Sequence, residues 1–225
     1  MDVRTQMLEA AEALLDASPD RDIATRAVCE AVGVGAPMLY RLFGDKNGLL
    51  SAVVDYGFER YLSTKRAAEP SADPVTDLRT GWDTHVAFAR AHPAVYRLMF
   101  SPSFSAVPNA AAEAMGLLRE VLVRCAEAGR LRVDPDTAAQ VIMAANIGVA
   151  LNLVTQSETY TDPELSHRVR DAVHASLLTE APTPAQHDGA ATVLQLAARL
   201  RADQPEALTP AETALLLEWL DKLAR

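Results

Sequence analysis

Residues 29–46, CEAVGVGAPMLYRLFGDK, combine three glycines and one proline with residues that favour helices. Tyr40, Arg41 and Lys46 lie in this segment and carry a hydroxyl, a guanidinium and an ammonium group, which are the donors that bind phosphate oxygens and base edges. Only two acidic residues oppose them. The segment is therefore either an ordinary turn between two helices or a surface that binds another molecule.

The glycines and the proline predict where the helices of this segment end and begin. Gly33 can adopt the left-handed conformation that closes one helix, and Pro37 suits the first turn of the next. The segments TRAVCEAV and APMLYRLF, joined by GVG, then form a helix-turn-helix whose second helix can enter the major groove of DNA. We expect these two helices to pack on the first helix of the chain through Val28, Val32, Val34, Leu39 and Phe43.

The elements around this corner predict an all-α protein. Alanine and leucine dominate, and the alternation typical of strands is nearly absent. A capping residue directly precedes a proline at 73–74, 134–135, 162–163 and 209–210, which is typical of helix starts. We predict helices at about 3–17, 25–32, 36–43, 46–67, 74–91, 93–100, 109–128, 135–156, 163–179, 185–201 and 210–223.

The net charge of −9 and the pI of about 5.0 argue against a general nucleic-acid binder. Residues 1–66 carry only −2 of that charge, from eight basic and ten acidic side chains, so a local basic patch is compatible with it. Cys29 and Cys125 lie in apolar helical patterns, which indicates a reducing, cytoplasmic setting. The apolar stretch 138–154 is short and contains amides, so we expect a buried helix there and no membrane partner.

Residues 4–62 resemble the DNA-binding region of TetR/AcrR-type transcriptional regulators. The resemblance is carried by RTQMLEAAEALL, TRAVCEAVGVGAPMLYRLFGDKNGLL and GFERYLSTKR, and FARAHPAVYRLMF is similar to a segment of some ligand-binding domains in that family. It implies an all-α fold with an N-terminal three-helix helix-turn-helix DNA-binding domain over 1–48 and a larger helical ligand-binding and dimerisation domain over 49–180, which helix 46–67 connects to the first. The resemblance ends near residue 180. The apolar stripes of the last helices predict a C-terminal helical extension over 181–225 packed on the second domain, although these helices could instead extend the dimer.

The resemblance also implies which residues contact DNA. Phosphate contacts fall on Tyr40, Lys46, Thr25 and Arg26, and groove contacts fall on Ala36, Pro37, Met38 and Arg41. Gly35 belongs to the same predicted DNA-binding set, although it stands where the family usually has Ser or Thr, so this position lacks a side-chain cap. Taken singly, such a tyrosine is a partly buried aromatic and such a lysine a solvated residue at a helix start. Their occurrence together at this corner favours DNA contact.

Residues 82–122 hold much of the chain's large apolar and soft side-chain content. A mostly apolar wall with a few polar groups is typical of a ligand pocket, although each such residue could equally be plain core. We predict a pocket for a moderately large apolar or aromatic effector, lined by Trp82, His85, Phe88, Tyr96, Met99, Phe100, Phe104, Met115 and Asn146.

The resemblance implies that the last two helices of the ligand domain, 135–156 and 163–179, form a four-helix bundle with those of a second subunit. The stripes assigned to this dimer face could also be intramolecular core. Their members are Ala138, Ile142, Ala145, Val149 and Asn152 on one helix and Leu165, Val169, Ala172 and Ser176 on the other.

Together these features predict a homodimeric, ligand-responsive transcriptional regulator, most simply a repressor that binds a pseudo-palindromic operator and is released by an effector. We expect no enzyme, no cofactor and no metal site, because nucleophile–base pairs, ligand spacings and phosphate-cradling loops are missing from the sequence. His85 and His92, like His167 and His174, are two helical turns apart, about 10 Å, which is too far to share a metal ion. The alternative function is a ligand-carrying or interaction module that has lost DNA binding.

Overall fold

The computed structural model describes residues 2–18, 22–100, 108–179, 189–203 and 207–223. Apart from one isolated antiparallel bridge between Leu131 and Leu178, these residues contain no β-structure, and the all-α prediction is confirmed. The described helices are α1 (Val3–Ala17), α2 (Thr25–Val32), α3 (Ala36–Phe43), α4 (Lys46–Arg66), α5 (Pro74–Ala91), α6 (Pro93–Met99), α7 (Pro108–Glu127), α8 (Pro135–Thr155), α9 (Leu165–Leu177), α10 (Gly189–Ala202) and α11 (Pro210–Leu223).

Side-chain caps explain the starts of α1, α4, α5, α8 and α11. The predicted starts of α5, α8 and α11 are confirmed; for example, the Asp134 side chain accepts the backbone N–H of Thr137 at 2.9 Å. Thr209 and Glu212 bond each other reciprocally at the start of α11, as a capping box requires. The predicted start of α9 is wrong by two residues, because the residues before Leu165 form a hydrogen-bonded turn.

The first of two compact units comprises the described residues within 1–68, 85–113 and 150–161. Apolar stripes of α1 and α4 face its core, and Val28 of α2 and Leu39 of α3 are fully buried in the same cluster. Val32, Val34 and Phe43 pack against it from the corner, as predicted. The buried members from α1 and α4 are Met7, Leu8, Ala11, Leu15, Leu49, Leu50, Ala52, Val53, Val54 and Phe58.

Helix α6 lies very close to α4 within this unit. A Cβ atom added at Gly57 would lie 2.2 Å from Val95 Cγ1, so a side chain at this position would displace α6 or Val95. Ala94, Val95 and Met99 bring α6 into the same core as α1 and α4. Gly57 therefore sets the distance between the two helices.

Polar contacts join α1, α4 and the residue before α6. Arg60 Nη1 donates to Glu12 Oε2 at 3.0 Å, and Glu12 Oε1 lies 2.6 Å from His92 Nδ1. Since an arginine can only donate, His92 Nε2 accepts from Arg60 Nη2 at 3.1 Å and the His92 proton resides on Nδ1. The Asp16 carboxylate adds a bond from the Ala94 N–H, at 2.8 Å. These four side chains tie the beginning of α6 to α1 and α4.

The second unit comprises the described residues within 69–84, 114–149 and 162–225. Its core includes Trp82, Leu122 and Leu131, all nearly inaccessible to solvent. In the described part of the chain, α8 is the single helix whose length and hydropathy would suffice to cross a membrane, and a third of its most apolar window is buried. Buried residues of α8, such as Ile142, contribute to the core of the folded chain.

Candidate nucleic-acid interface and effector pocket

The turn between α2 and α3 has the predicted geometry. Gly33 has a φ of +72°, in the left-handed region, and its N–H bonds the Glu30 carbonyl. The next amide, Val34 N–H, donates to the Cys29 carbonyl at 3.0 Å, which satisfies a terminal carbonyl of α2. A residue with a Cβ would be strained at position 33, so the glycine makes the tight corner possible.

The corner leaves one face of α3 open to solvent. Leu39 points into the core, whereas the neighbouring Tyr40 side chain is 52% exposed. Of the residues predicted to face the groove, Ala36, Pro37 and Arg41 are exposed and Met38 is half-buried. Arg41 Nη2 folds back to 2.9 Å from the Met38 sulfur, so in the free protein its guanidinium lies along α3.

Carboxylates partner two of the predicted phosphate-binding cations. Lys46 Nζ pairs with Asp22, and Arg26 Nε bonds Glu30 Oε1 at 2.7 Å on the exposed side of α2. The bond from Lys46, followed by the N–H of Ile23, holds the pKa of the Asp22 carboxyl below its usual value. Thr25 is half-buried at the start of α2. Sequence reasoning missed Asp22 as a partner, although it lies just before a predicted contact residue.

The start of α4 depends on a glycine that sequence reasoning also missed. Asp45 caps the helix by accepting the Gly48 N–H at 2.8 Å. A Cβ atom at Gly48 would lie 1.9 Å from the Phe43 carbonyl oxygen, which no rearrangement of side chains can relieve. Gly48 therefore allows the end of α3 and the first turn of α4 to approach closely, and this fixes Lys46 beside α3. A glycine in the first turn after an aspartate cap was the available signal.

A buried tyrosine–histidine–tyrosine chain occupies the part of the predicted pocket that lies in the first unit. His85 Nδ1 lies 2.8 Å from the Tyr61 hydroxyl, and His85 Nε2 lies 2.6 Å from the Tyr96 hydroxyl. Burial, assisted by the positive charge of Lys65, lowers the pKa of His85 to about 3, so its ring is neutral. One nitrogen donates and the other accepts, so both are used. In this conformation His85 cannot also bond an effector, which corrects its assigned role as a ligand-contacting group.

The other predicted pocket residues are divided between the two units. In the first unit, Phe88 packs on Tyr61 at 5.3 Å between ring centres, Phe100 packs on Tyr96 at 4.8 Å, and Met99 is core. In the second unit lie Trp82, which is buried, Met115, which is half-buried, and Asn146, whose buried Oδ1 has no hydrogen-bond partner in the described structure. Phe104 lies outside the described residues.

Two clefts in the second unit do not involve the predicted pocket residues. One, of about 650 Å³, lies between the start of α5, α7 and α10, and the other, of about 570 Å³, lies between α7, the start of α8, α10 and α11. Arg124 lines the first cleft and is already bonded to Asp77 at 2.5 Å. Within the described ranges, no group of three or more His, Cys, Asp or Glu side chains is placed to hold a metal ion.

The predicted dimer face needs correction on α8. Ala138, Ile142 and Val149 are buried within the chain itself, so they belong to the core. The remaining positions of that prediction are half-buried or exposed: Ala145, Asn152, Leu165, Val169, Ala172 and Ser176. Two apolar positions of α8 outside the predicted stripe, Val141 and Ala144, are exposed, and Gly148 is half-buried. Periodicity did not separate the two stripes because α8 is apolar on nearly every side.

Protein families match both the helix-turn-helix segment and most of the helical remainder of the chain. Residues 7–53 match the model of the bacterial regulatory proteins of the tetR family, and residues 78–219, more than half of the chain, match the tetracyclin repressor-like C-terminal domain. The chain belongs to the TetR family. It is a regulator of the helix-turn-helix class.

Solved structures show the same fold. A protein of unknown function from Rhodococcus sp. RHA1 superimposes with a TM-score of 0.67 at 23% identity, covering 80% of this chain and 97% of that one. The regulator PfmR from Thermus thermophilus gives 0.55 at 18% identity, over 78% and 94%. TetR from Acinetobacter baumannii AYE, in complex with minocycline, gives 0.57 at 21% identity, over 78% and 96%.

A curated relative matches a shorter stretch. The nucleoid occlusion factor SlmA from Marinomonas sp. (strain MWYL1) is 29% identical over 100 residues, which is 44% of this chain. The match spans half the length of that relative.

Replacing Gly48 by alanine tests the close approach of α3 and α4. We expect Gly48→Ala to lower the free energy of unfolding by about 1–3 kcal/mol, because the new methyl group meets a backbone carbonyl. Gly116→Ala in α7 is the matched control, since a Cβ atom there meets nothing within 4 Å, and we expect it to be neutral or to stabilise by up to about 1 kcal/mol. Urea unfolding measures both, and equal effects would contradict the proposed contact.

Acidification tests the buried histidines. The pKa values of His85 and His174 are lowered to about 3 and about 4, mainly by burial, so the unfolded chain binds more protons than the folded one below about pH 6.5. Their contribution to stability is complete above that pH and is lost as the pH falls towards those values. We expect the free energy of unfolding to fall by up to about 1.4 kcal/mol per pH unit for each histidine between pH 6 and 5. His85→Gln should remove one such contribution, and an unchanged slope would contradict the assignment.

Proposed function

We propose that this TetR-family protein represses transcription by binding a pseudo-palindromic operator as a homodimer, and that a small effector releases it. The observation that carries the proposal is the outward face of α3, where the half-exposed Tyr40 ring lies next to Arg41, with Lys46 just beyond the helix. A hydroxyl, a guanidinium and an ammonium side by side suit phosphate oxygens and a guanine edge.

The starts of α2 and α3 support phosphate binding at the same face. Neither helix has a side-chain cap within the described structure, whereas α1 and α4 are capped by Asp2 and Asp45. Pro37 has no N–H, and the amides of Ala27 and Met38 already bond backbone carbonyls, so the first amides of each helix are the ones that a phosphate can meet, which the helix dipole also favours. Thr25 and Arg26 stand at such a start, so their amides and side chains can act on the same phosphate.

Two of the cations proposed to bind phosphate form ion pairs with carboxylates in the free protein. Lys46 is paired with Asp22, and Arg26 is paired with Glu30. To bind a phosphate, each cation must weaken or break its ion pair. Because these pairs are largely exposed to solvent, each contributes little and the exchange costs little. Release of condensed counterions from the DNA then makes the affinity steeply dependent on salt.

A second copy of the chain is the proposed partner of α8. Val141 is 40% exposed, Ala144 is exposed, and a Cβ atom at Gly148 would meet nothing within 4 Å in its own chain. A glycine inside a helix costs about 0.5–1 kcal/mol relative to alanine, and no contact within the described chain explains this one. A helix of the partner approaching closely at Ala144 and Gly148 would explain it. The exposed Ala172 and Ser176 of α9 stay in the proposed face.

Helix α6 provides a route from an effector to the DNA-binding helices. Gly57 holds α6 close to α4, while Glu12 and Asp16 hold the residues at its start against α1. An effector that displaced α6 would therefore move α1 and α4 together with it. The effector must bind the displaced arrangement more tightly, since equal affinity for both arrangements would shift nothing.

Selection from random DNA duplexes tests the regulator. We expect the wild-type protein to enrich a two-fold-symmetric motif at low salt, because two helix-turn-helix units of a dimer read two half-sites. The double variant Tyr40→Ala, Lys46→Ala should enrich none, since it loses two proposed backbone contacts of each subunit. Sequencing of the selected pools measures both.

Asp22→Asn provides the matched control for this selection. It removes the carboxylate that holds Lys46, so it should bind the selected duplex more tightly than the wild type and with a steeper salt dependence. If the wild-type protein enriches no motif at low salt, the regulator proposal fails and a ligand carrier becomes the better-supported function. A motif equally enriched by the double variant would move the interface away from α3.

Gly148→Leu tests the dimer face. We expect the variant to fold but to dimerise at least about tenfold more weakly, because a leucine prevents the close approach of a partner helix. Sedimentation equilibrium of the variant, the wild type and Gly116→Leu measures the effect, with Gly116→Leu expected to dimerise normally. Unchanged dimerisation of Gly148→Leu would place the interface elsewhere.

A further inference from the structure

The inward stripe of α9 is polar. Ser166, Arg170 and His174 follow one another at intervals of four residues, so they lie on one side of the helix. Ser166 and His174 are buried, and only 13% of the Arg170 side chain is exposed. A helix that only had to fill a core would carry apolar residues at these positions.

Two of these three side chains have structural partners. Ser166 Oγ accepts a bond from Trp82 Nε1 at 3.0 Å. Arg170 Nη1 bonds both oxygens of Asp83 at 2.7 and 2.8 Å, and Arg170 Nε bonds Asp171 at 2.9 Å. These contacts fix α9 against α5 and neutralise the arginine.

The third side chain has no hydrogen-bond partner in the described structure. Both ring nitrogens of His174 are buried without one, and the ring stands edge-on to Trp82 with 6.0 Å between ring centres. Asn146 Oδ1, on α8 of the same unit, is also buried without a hydrogen-bond partner in the described structure. Leaving such a group unpaired costs about 1–3 kcal/mol, so a bound molecule that formed hydrogen bonds with these atoms would be favoured.

The chemistry of these atoms defines what that partner must offer. Burial first, and then the charges of Arg170 and Arg79, lower the pKa of His174 to about 4, so its ring is neutral and has one donor and one acceptor. Asn146 Oδ1 requires a donor. Arg170 is already held by two carboxylates, so it offers little charge to an anionic ligand.

We propose that His174 and Asn146 are the polar anchors of the effector site, and that the effector is a neutral planar molecule that both donates and accepts hydrogen bonds, of the lactam, amide or phenol class. This inference rests on the proposed function, because it names the ligand of the same regulator. It replaces His85 by His174 as the histidine that meets the effector.

Unfolding of the unliganded protein is the first test. In Asn146→Leu and His174→Leu, an apolar side chain replaces a group that is unpaired without ligand, so both urea midpoints should equal or exceed that of the wild type. Ser166→Ala is the control, and its midpoint should fall because Trp82 Nε1 loses its acceptor. A lower midpoint for either leucine variant would overturn the proposal, since the polar group would then serve the fold itself.

Ligand protection is the second test, with quinolin-2-one, naphthalene and 2-naphthoate as probes of nearly equal shape. The lactam should raise the thermal midpoint of the wild type by at least about 2 °C and more than the other two, and the gain should vanish in the double variant Asn146→Leu, His174→Leu. No protection by the lactam, equal protection by naphthalene, stronger protection by 2-naphthoate, or protection that persists in the double variant would overturn the effector class.

Operator selection with the unliganded wild type separates this inference from the proposed function. A selected motif together with a failed ligand test leaves the regulator in place and removes the effector class. Failure of the selection together with lactam protection that depends on His174 and Asn146 supports the ligand site in a protein that does not bind DNA.

Discussion

The close approach of α4 to its neighbours is the constraint on which the first unit depends. Gly48 lets the first turn of α4 lie against the Phe43 carbonyl at the end of α3, and Gly57 lets Val95 of α6 lie against its middle. One rigid helix thereby positions both the proposed recognition helix α3 and helix α6. A larger side chain would meet a backbone carbonyl at position 48 and would displace Val95 or α6 at position 57, so both glycines constrain what packs against α4.

Electrostatics limits the proposed DNA contacts of this acidic chain. The net charge is −9, and Lys46 and Arg26, two cations of the proposed interface, are themselves paired with carboxylates. Such exposed pairs hold the side chains in place at little energetic cost. The proposed interface therefore gains its affinity from several contacts made at once, which a dimer on two half-sites provides and a single corner does not.

Buried polar groups divide into those that the fold satisfies and those that it does not. His85 lies between two tyrosines and the Glu12–His92–Arg60 contacts are complete, so these networks join helices. The ring nitrogens of His174 and the Oδ1 atom of Asn146 have no hydrogen-bond partner in the described structure. The same residue type thus serves structure in one unit and, as we propose, recognition in the other, and only the neighbouring atoms distinguish the two roles.

The sequence by itself determined the helices and the corner, because caps, prolines, glycines and periodicity act between residues close in the chain. It also determined the family, since the spacing of the corner motif is local. Only the tertiary structure decided which apolar stripe of α8 is core and what each buried histidine bonds. Those answers depend on atoms from other helices. Val141 is exposed whereas the adjacent Ile142 is buried, and His85 is hydrogen-bonded whereas His174 is not, because different atoms lie opposite them in the fold.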